Sequence, residues 1–512
     1  MNRCSLVLAA ILYALVPIND SLAAEPIDVG DRTCLFLDDR FIAEQSGLSR
    51  TWHQGKPATT PAINADPKTA EDWPHMFGSV FYDPKDKLHK MFYESVAHGK
   101  GWLRYAESSD GKTWTKPKLG LVELAGSREN NIVFASAELP NAFIDPNTTD
   151  SKGRIKIIVW CAPKKFKGKD VGGLYLFQSA DGRDWDPVGP VNYAAPNDDT
   201  DKARVVLDTN QIIWDSLGQR YLGTFRSFPT HPGLPGFIRN EKNETITGIV
   251  GGHRRAVAVS TSTDILRGWP PSQTVLRPDA KDDEKATRLS KDPAKLDYCE
   301  LYIMPTFVYG NHYLGMVSLL FSIDGSDTVN GAGDVQFTFS DDGVKWFRQP
   351  DRQTFVEPSP DGLIPCYAQC NEPLLIGNEM WIYYSEADSA HPKTGDTSQI
   401  RGASWRRDGF VSLAAAERPA TLTTRPLKFT GAKLMVNAKV ADGGSLRVAL
   451  LDEAGQPIPG FGLADCNVIH GDQIAQEVTW RKGSDITALT AKPLRLAIEL
   501  TKGSLYSFRS TR

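Results

Sequence analysis

Apolar and polar positions along this chain change over every few residues, and the apolar runs are short. One run of alternating character starts at Gly78, stops at Asp83-Pro84, turns at Lys85-Asp86 and resumes from Leu88 to Glu94. The same figure returns at 211–226 with a turn at Leu217-Gly218, at 302–319 with a turn at Gly310-Asn311, and at 373–384 with a turn at Gly377-Asn378. Short β-rich runs bounded by Gly, Asn and Asp are the signature of strands joined by hairpins. A polar phrase punctuates them. It reads Ser108-Ser109-Asp110-Gly111-Lys112-Thr113-Trp114, then Ser179-Ala180-Asp181-Gly182-Arg183-Asp184-Trp185. A looser copy runs from Ser260 through Asp264 to Trp269. A fourth is Ser340-Asp341-Asp342-Gly343-Val344-Lys345-Trp346, and a worn fifth is Arg407-Asp408-Gly409-Phe410. Asp-Gly makes a tight turn because Gly adopts positive φ at little cost. The Trp or Phe then opens an outer strand that packs between neighbouring sheets.

Five returns of one four-stranded unit predict an all-β fold built as a five-bladed β-propeller, whose radial repetition leaves only short, protected sheet edges. After Phe410 the pattern changes. Residues 424–427 read as a linker, and alternating strands follow at 433–437, 445–451 and 494–500, with turns at 441–444 and 452–455. This predicts a small β-sandwich. The expected division is 25–417 for the propeller and 418–512 for the sandwich. The first 24 residues carry Arg3, an apolar run from Leu6 to Val16 and the small residues Ser21, Ala23 and Ala24. That is the layout of a secretory signal peptide. The apolar run is shorter than the ~20 residues that span a bilayer. A secreted or periplasmic chain, free of the membrane after cleavage, is therefore expected.

The formal net charge of -4 comes with no basic stripe, which argues against a nucleic-acid partner. Twelve Trp and 15 Tyr suit sugar stacking and blade cores equally, so composition does not separate the two. Beyond the leader stand six cysteines, Cys34, Cys161, Cys299, Cys366, Cys370 and Cys466, in a compartment that permits disulfides. Cys366 is open to pairing with Cys370, or either of them with Cys299; spacing does not fix the connectivity. No CxxC or HxxxH spacing is present, so no metal site is predicted. Nothing in the sequence supports a cofactor, a calcium ion in the channel or a particular oligomeric state.

Candidate chemistry follows from the predicted architecture. Innermost strands of a propeller direct carboxylates into the central channel. Acids near the start of such strands are Asp145 before Pro146, Asp208, Glu300 after Cys299, and Glu372 before Pro373. Asp38 and Asp39 stand on the first strand of the mature chain. Each also has a plainer role available, as a turn residue or a strand-end charge. Two carboxyl groups flanking one bond are what glycoside hydrolysis requires. Crowding them separates their pKa values into an acid and a base. Glu300 is the expected general acid, Asp145 or Asp208 its neighbours, and Asp38 or Asp39 the base or nucleophile. Trp73, His75, Arg226, Arg254, Arg255, His391 and Glu372 are the expected substrate-binding residues. The charge-rich stretch from Asp279 to Lys295 is expected as a solvated loop.

With its five-repeat unit, inner-strand acids (Asp145-Pro146 and Cys299-Glu300) and trailing β-sandwich, the chain resembles glycoside hydrolase family 32 and its propeller relatives in family 43. The resemblance implies a secreted enzyme acting on a carbohydrate at the propeller mouth, with channel carboxylates as acid and base or nucleophile. It lacks the Trp-Met-Asn-Asp-Pro-Asn-Gly stretch of family 32, Asp145 follows Ile144 rather than Arg, and Glu300 falls in blade four. A non-catalytic carbohydrate-binding or interaction propeller is one alternative. A sialidase-like exo-glycosidase is another, because Ser109–Trp114 is similar to the sialidase Asp box.

Overall fold

The computed structural model describes residues 25–97, 100–135, 137–192, 211–240, 242, 244–292, 294–324, 333–389 and 396–512. Five antiparallel sheets form the five blades. Blade one is Trp73–Asp83, Leu88–Ala97, Lys100–Ser108 and Ile132–Ala135. Blade two is Ala137–Ile144, Ile155–Phe166, Lys169–Ser179 and Asp186–Pro190. Blade three is Gln211–Asp215, Arg220–Ser227, Ala256–Ser262 and Gln273–Leu276. In blade four the inner strand is split into Tyr298–Ile303 and Thr306–Tyr309, both paired with His312–Ser322, followed by Gly333–Ser340 and Trp346–Arg348. Blade five is likewise split, Ile364–Ala368 and Leu374–Ile376, before Glu379–Ala387 and Ser398–Arg406. Its outermost place is taken by Lys56–Pro57 and Ile63–Asn64, which precede blade one in the chain. The last sheet is thus completed by the segment that leads into the first, and the ring is closed by hydrogen bonds.

The blade strands are buried along most of their length because each sheet is covered on both faces by its neighbours. Every residue of His312–Ser322 is buried, for example. The repeated phrase is the turn between the third and fourth strands. Ser108 Oγ accepts from the Gly111 N–H at 2.9 Å, and Asp110 Oδ1 from Lys112 and Thr113 at 2.7 Å each. Ser179 and Asp181, and Ser340 and Asp342, repeat this geometry. Trp185 and Trp346 then donate their indole N–H to Gly182 and Gly343.

Two rings of polar side chains stitch the blades together. At mid-channel, Ser79 accepts from the Ala142 N–H at 2.8 Å and Asn141 from the Ile212 N–H at 2.8 Å. Gln211 accepts from the Thr306 N–H at 2.7 Å and donates to the carbonyls of Thr306 and Cys370. Asn371 accepts from Val80 and donates to Ala142, each at 3.0 Å. This belt satisfies inner-strand backbone groups that no sheet partner reaches. Four residues further on, Asp83, Asp145 and Asp215 form the second ring. Each accepts from the backbone of its own turn and from a side chain of the next blade: Arg154, Tyr221 and Tyr313 respectively.

The C-terminal unit is built on two long strands, Lys433–Leu451 and Arg495–Thr511, paired along most of their length. It recruits the start of the chain. Ile42–Ser46 pairs with Ala420–Thr424, and Leu48–Trp52 with Val411–Ala415. By strand pairing Val411–Ala415 and the strands between Ile27 and Trp52 join this unit, while Leu35, Leu37 and Val411 also pack against blades four and five. Its core includes Val29, Phe36, Phe41, Leu434, Val448, Trp480 and Phe508.

Two expectations need correction. The stretch after Asp279 is not a loop but the α-helix Ala280–Leu289, started by a capping box between Asp279 and Asp282. Its charges are spent inward: Asp282 on Arg348 and Arg352, Asp283 on Arg254, Lys285 on Asp334. None of the proposed cysteine pairings forms either. All six cysteines are free and buried, and burial pushes the thiols of Cys34, Cys366 and Cys370 up to about 12.

Candidate active site

Each blade's inner strand enters from the same end of the channel, and that end, the mouth, gathers the groups with perturbed chemistry. Its floor is aromatic. The rings of Phe77 and Tyr367 lie 3.9 Å apart, with Tyr302 5.7 Å from Tyr367 and the His75 ring 5.8 Å from Phe77. These come from the inner strands of blades one, four and five.

Beside this floor stand two carboxylates. Glu94, on the second strand of blade one, sits opposite His75 in the ladder and is 7% exposed. Its Oε2 accepts from the Leu139 N–H at 3.0 Å. Glu138 lies on the inner strand of blade two, half-buried. The two meet across Gly101. A Cβ at Gly101 would stand 2.9 Å from Glu138 Cγ and 3.1 Å from Glu94 Oε1. Glycine is what lets both side chains occupy that corner.

The electrostatics separate the two. Burial pushes the Glu94 carboxyl up to about 8, the Leu139 N–H opposes this, and the nearby charge of Glu138 adds to it. Burial also raises Glu138. Glu94 is thus mostly protonated at neutral pH. Tyr302 is raised by burial, pulled down by the Arg226 and Arg255 guanidiniums, and pushed up by Glu94 and Glu138. Arg226, Arg255, Glu94 and Glu138 thus all act on one phenol.

The expected residues are only partly brought together. Glu300 is at the mouth but 1% exposed and ion-paired with the Arg255 guanidinium; the Arg255 N–H adds a bond at 2.9 Å. Both carboxyl oxygens are committed to Arg255, which does not suit the role of general acid. Asp145 is at the opposite end of the channel, accepting from Tyr221 Oη at 3.1 Å and the Asn147 N–H at 3.0 Å. The Asp-Pro step there makes a turn. Asp38 and Asp39 sit in a turn of the C-terminal unit, bonded to the Arg40 N–H and to Arg50. Asp208 and His391 lie outside the described residues. Among the binding candidates, His75, Arg226 and Arg255 are at the mouth, and half-buried Trp73 opens the His75 strand. Arg254 is fully buried in a bidentate pair with Asp283 at 2.8–2.9 Å, a brace for the helix. Glu372 lines a cavity at the other end.

Glu94, Glu138, Tyr302 and Tyr367 were missed as site residues. The signal for Glu94 was present: an acid in the middle of the run Met91 to Ala97, where every other position suits a core. A second groove, of about 600 Å³ between blade five and the C-terminal unit, has no comparable pair. Its Asp472 and Glu379 are taken by Arg406 and Lys112.

If Asp145 is a blade-to-blade tie, Asp145→Asn should leave catalysis within about twofold of wild type. It should lower stability by about 1–2 kcal/mol through the weakened bond to Tyr221. Thermal unfolding and turnover measured on the same preparation check both halves.

The fold and site together define a five-bladed β-propeller with a carboxylate pair at its mouth and a β-rich C-terminal unit. No protein-family model matches the chain, and no curated protein sequence matches it. Among solved structures it is similar to a glycosyl hydrolase from Bacteroides ovatus, with 13% identity over 70% of this chain and 94% of that one, TM-score 0.41. It is also similar to a GH62 hydrolase in complex with xylotriose, at 10% identity over 69% and 98%, TM-score 0.42. A third is a fructofuranosidase from Schwanniomyces occidentalis complexed with fructosylnystose, at 10% identity over 88% and 96%, TM-score 0.35. The fold assignment itself rests on the strand pairing of this chain.

Proposed function

We propose that this protein is a secreted glycoside hydrolase whose general acid is Glu94. The observation that carries the reading is the buried Glu94 carboxyl, held protonated at neutral pH beside a second carboxylate at the mouth of a propeller. Hydrolysis of a glycosidic bond needs a proton delivered to the leaving oxygen and a carboxylate acting as base for water or as nucleophile. Glu94 is suited to the first task because burial keeps its proton on. Glu138, closer to solvent, is suited to the second. Arg226, Arg255 and His75 supply donors for hydroxyls. The rings of Tyr302, Tyr367 and Phe77 supply an apolar floor against which a sugar face packs. Secretion rests on the leader-like first 24 residues. Reducing-end release from a panel of oligosaccharides and polysaccharides tests the reading. Cleavage by wild type that is lost in Glu94→Gln supports it, and cleavage that survives in Glu94→Gln refutes the assignment.

A carbohydrate-binding propeller without catalysis is the second reading. It is favoured by the two arginine-paired acids at this end, Glu300 with Arg255 and Glu386 with Arg401. Calorimetric sugar binding without bond cleavage would select it.

A further inference from the structure

Below the mid-channel belt the channel opens again, away from Glu94 and Glu138, into a cavity of about 650 Å³. Every blade contributes one side chain from the same place, the last or next-to-last residue of its inner strand. Tyr82, Ile144, Trp214, Val308 and Leu375 form this collar, and Glu372 joins them. Tyr82 and Leu375 are 46% and 47% exposed, so folding leaves the collar in water. Most polar groups nearby are already committed. Asn371 is bonded on both sides, and Asp83, Asp145 and Asp215 hold the adjoining blades. Burial lowers the His89 imidazole, against the opposing charge of Asp110. Glu372 is therefore the one carboxylate lining this cavity among the described residues, and no other residue's side chain pairs with it there.

We propose that this lower cavity binds a small organic cation, its ammonium head against Glu372 and the rings of Tyr82 and Trp214, its apolar body within the collar. Charge complementarity selects that ligand: the lining offers one negative group and no lysine or arginine. Aromatic faces attract cations. A neutral sugar fits less well, because beyond Glu372 the lining has few uncommitted donors and acceptors for its hydroxyls. The site is separated from the mouth by the polar belt and the aromatic floor, so the proposal does not depend on the hydrolase reading.

Isothermal titration of the full chain with choline, and with its neutral isostere 3,3-dimethylbutan-1-ol, tests the proposal. Choline should bind saturably at one site per chain, at least about tenfold more tightly than the alcohol. Glu372→Gln should weaken choline about tenfold or more, and Trp214→Leu about threefold, each with wild-type thermal unfolding. Glu94→Gln should bind choline as wild type does, and Glu372→Gln should keep any hydrolytic activity, which separates this site from the mouth. No saturable heat up to about 10 mM choline would overturn the proposal. So would equal affinity for the alcohol, or binding untouched by both cavity substitutions.

Discussion

Replacing Glu94 with glutamine lowers kcat/KM on an unactivated oligosaccharide by about a thousandfold, within the 10²–10⁴ range that a positioned general acid contributes. The pH profile changes with it. In wild type the active form carries the proton on Glu94, so activity is retained at neutral pH and falls as pH rises through about 8. Glu94→Gln has no such alkaline limb. Stability follows the same proton. The folded pKa lies above the unfolded value of about 4.3. Its stabilising contribution is therefore complete below that unfolded pKa and is lost as pH rises toward 8. Between these limits wild type loses stability relative to Glu94→Gln, by an amount on the order of a few kcal/mol. Thermal unfolding of both proteins from pH 5 to 9 measures that difference. Parallel curves would remove the protonated Glu94 from the account.

Asp83→Asn is the substitution expected to cost most stability. Asp83 is fully buried at the lower end of blade one. It holds Lys90, itself 1% exposed, at 2.7 Å and the Arg154 guanidinium of blade two. Removing its charge leaves Lys90 with Asp86 as its remaining carboxylate and takes the carboxylate partner from Arg154, a partial break of a buried ion network that costs about 2–3 kcal/mol. Burial would raise the Asp83 carboxyl, but Arg154 and Lys90 hold it well below the ordinary range. A depressed carboxylate contributes stability that is complete above about pH 5 and lost as pH falls below about 4. The gap between wild type and Asp83→Asn in denaturant unfolding should therefore be full at pH 7 and shrink toward pH 3. A gap that is the same at both would contradict the ion-pair explanation.

What was legible in the sequence is what repeats locally. The Ser-x-Asp-Gly phrase appears as the turn it implies, because its hydrogen bonds are made within a few residues of chain. The five blades follow from it. Features made by distant residues were not legible in the same way. The outer edge of blade five comes from Lys56–Pro57 and Ile63–Asn64, two-residue strands too short to carry a pattern. Asp145 looked like a channel acid because an aspartate before proline reads the same in either place. Its register with Asp83 and Asp215, each four residues after a belt residue, is what marks it as structural. Glu300 lies at the mouth, but Arg255 is 45 residues away and its pairing with Glu300 is a tertiary fact. Glu94 stands out in the core-like run Met91 to Ala97, but that run names no partner for it. Only Gly101, on the neighbouring strand, shows that it faces Glu138. The helix after Asp279 was legible in principle, since its capping residues stand at the required spacing.

The central claim, a proton delivered by Glu94 to a sugar's leaving oxygen, is tested most directly by varying the leaving group. A series of aryl and alkyl glycosides of one cleaved sugar is compared in wild type and Glu94→Gln. With the acid in place, kcat/KM should depend weakly on leaving-group pKa. In Glu94→Gln the dependence should become steep, with nitrophenyl glycosides nearly unaffected and alkyl glycosides slowed by about a thousandfold. Equal slowing across the series, or none, would show that Glu94 is not the acid.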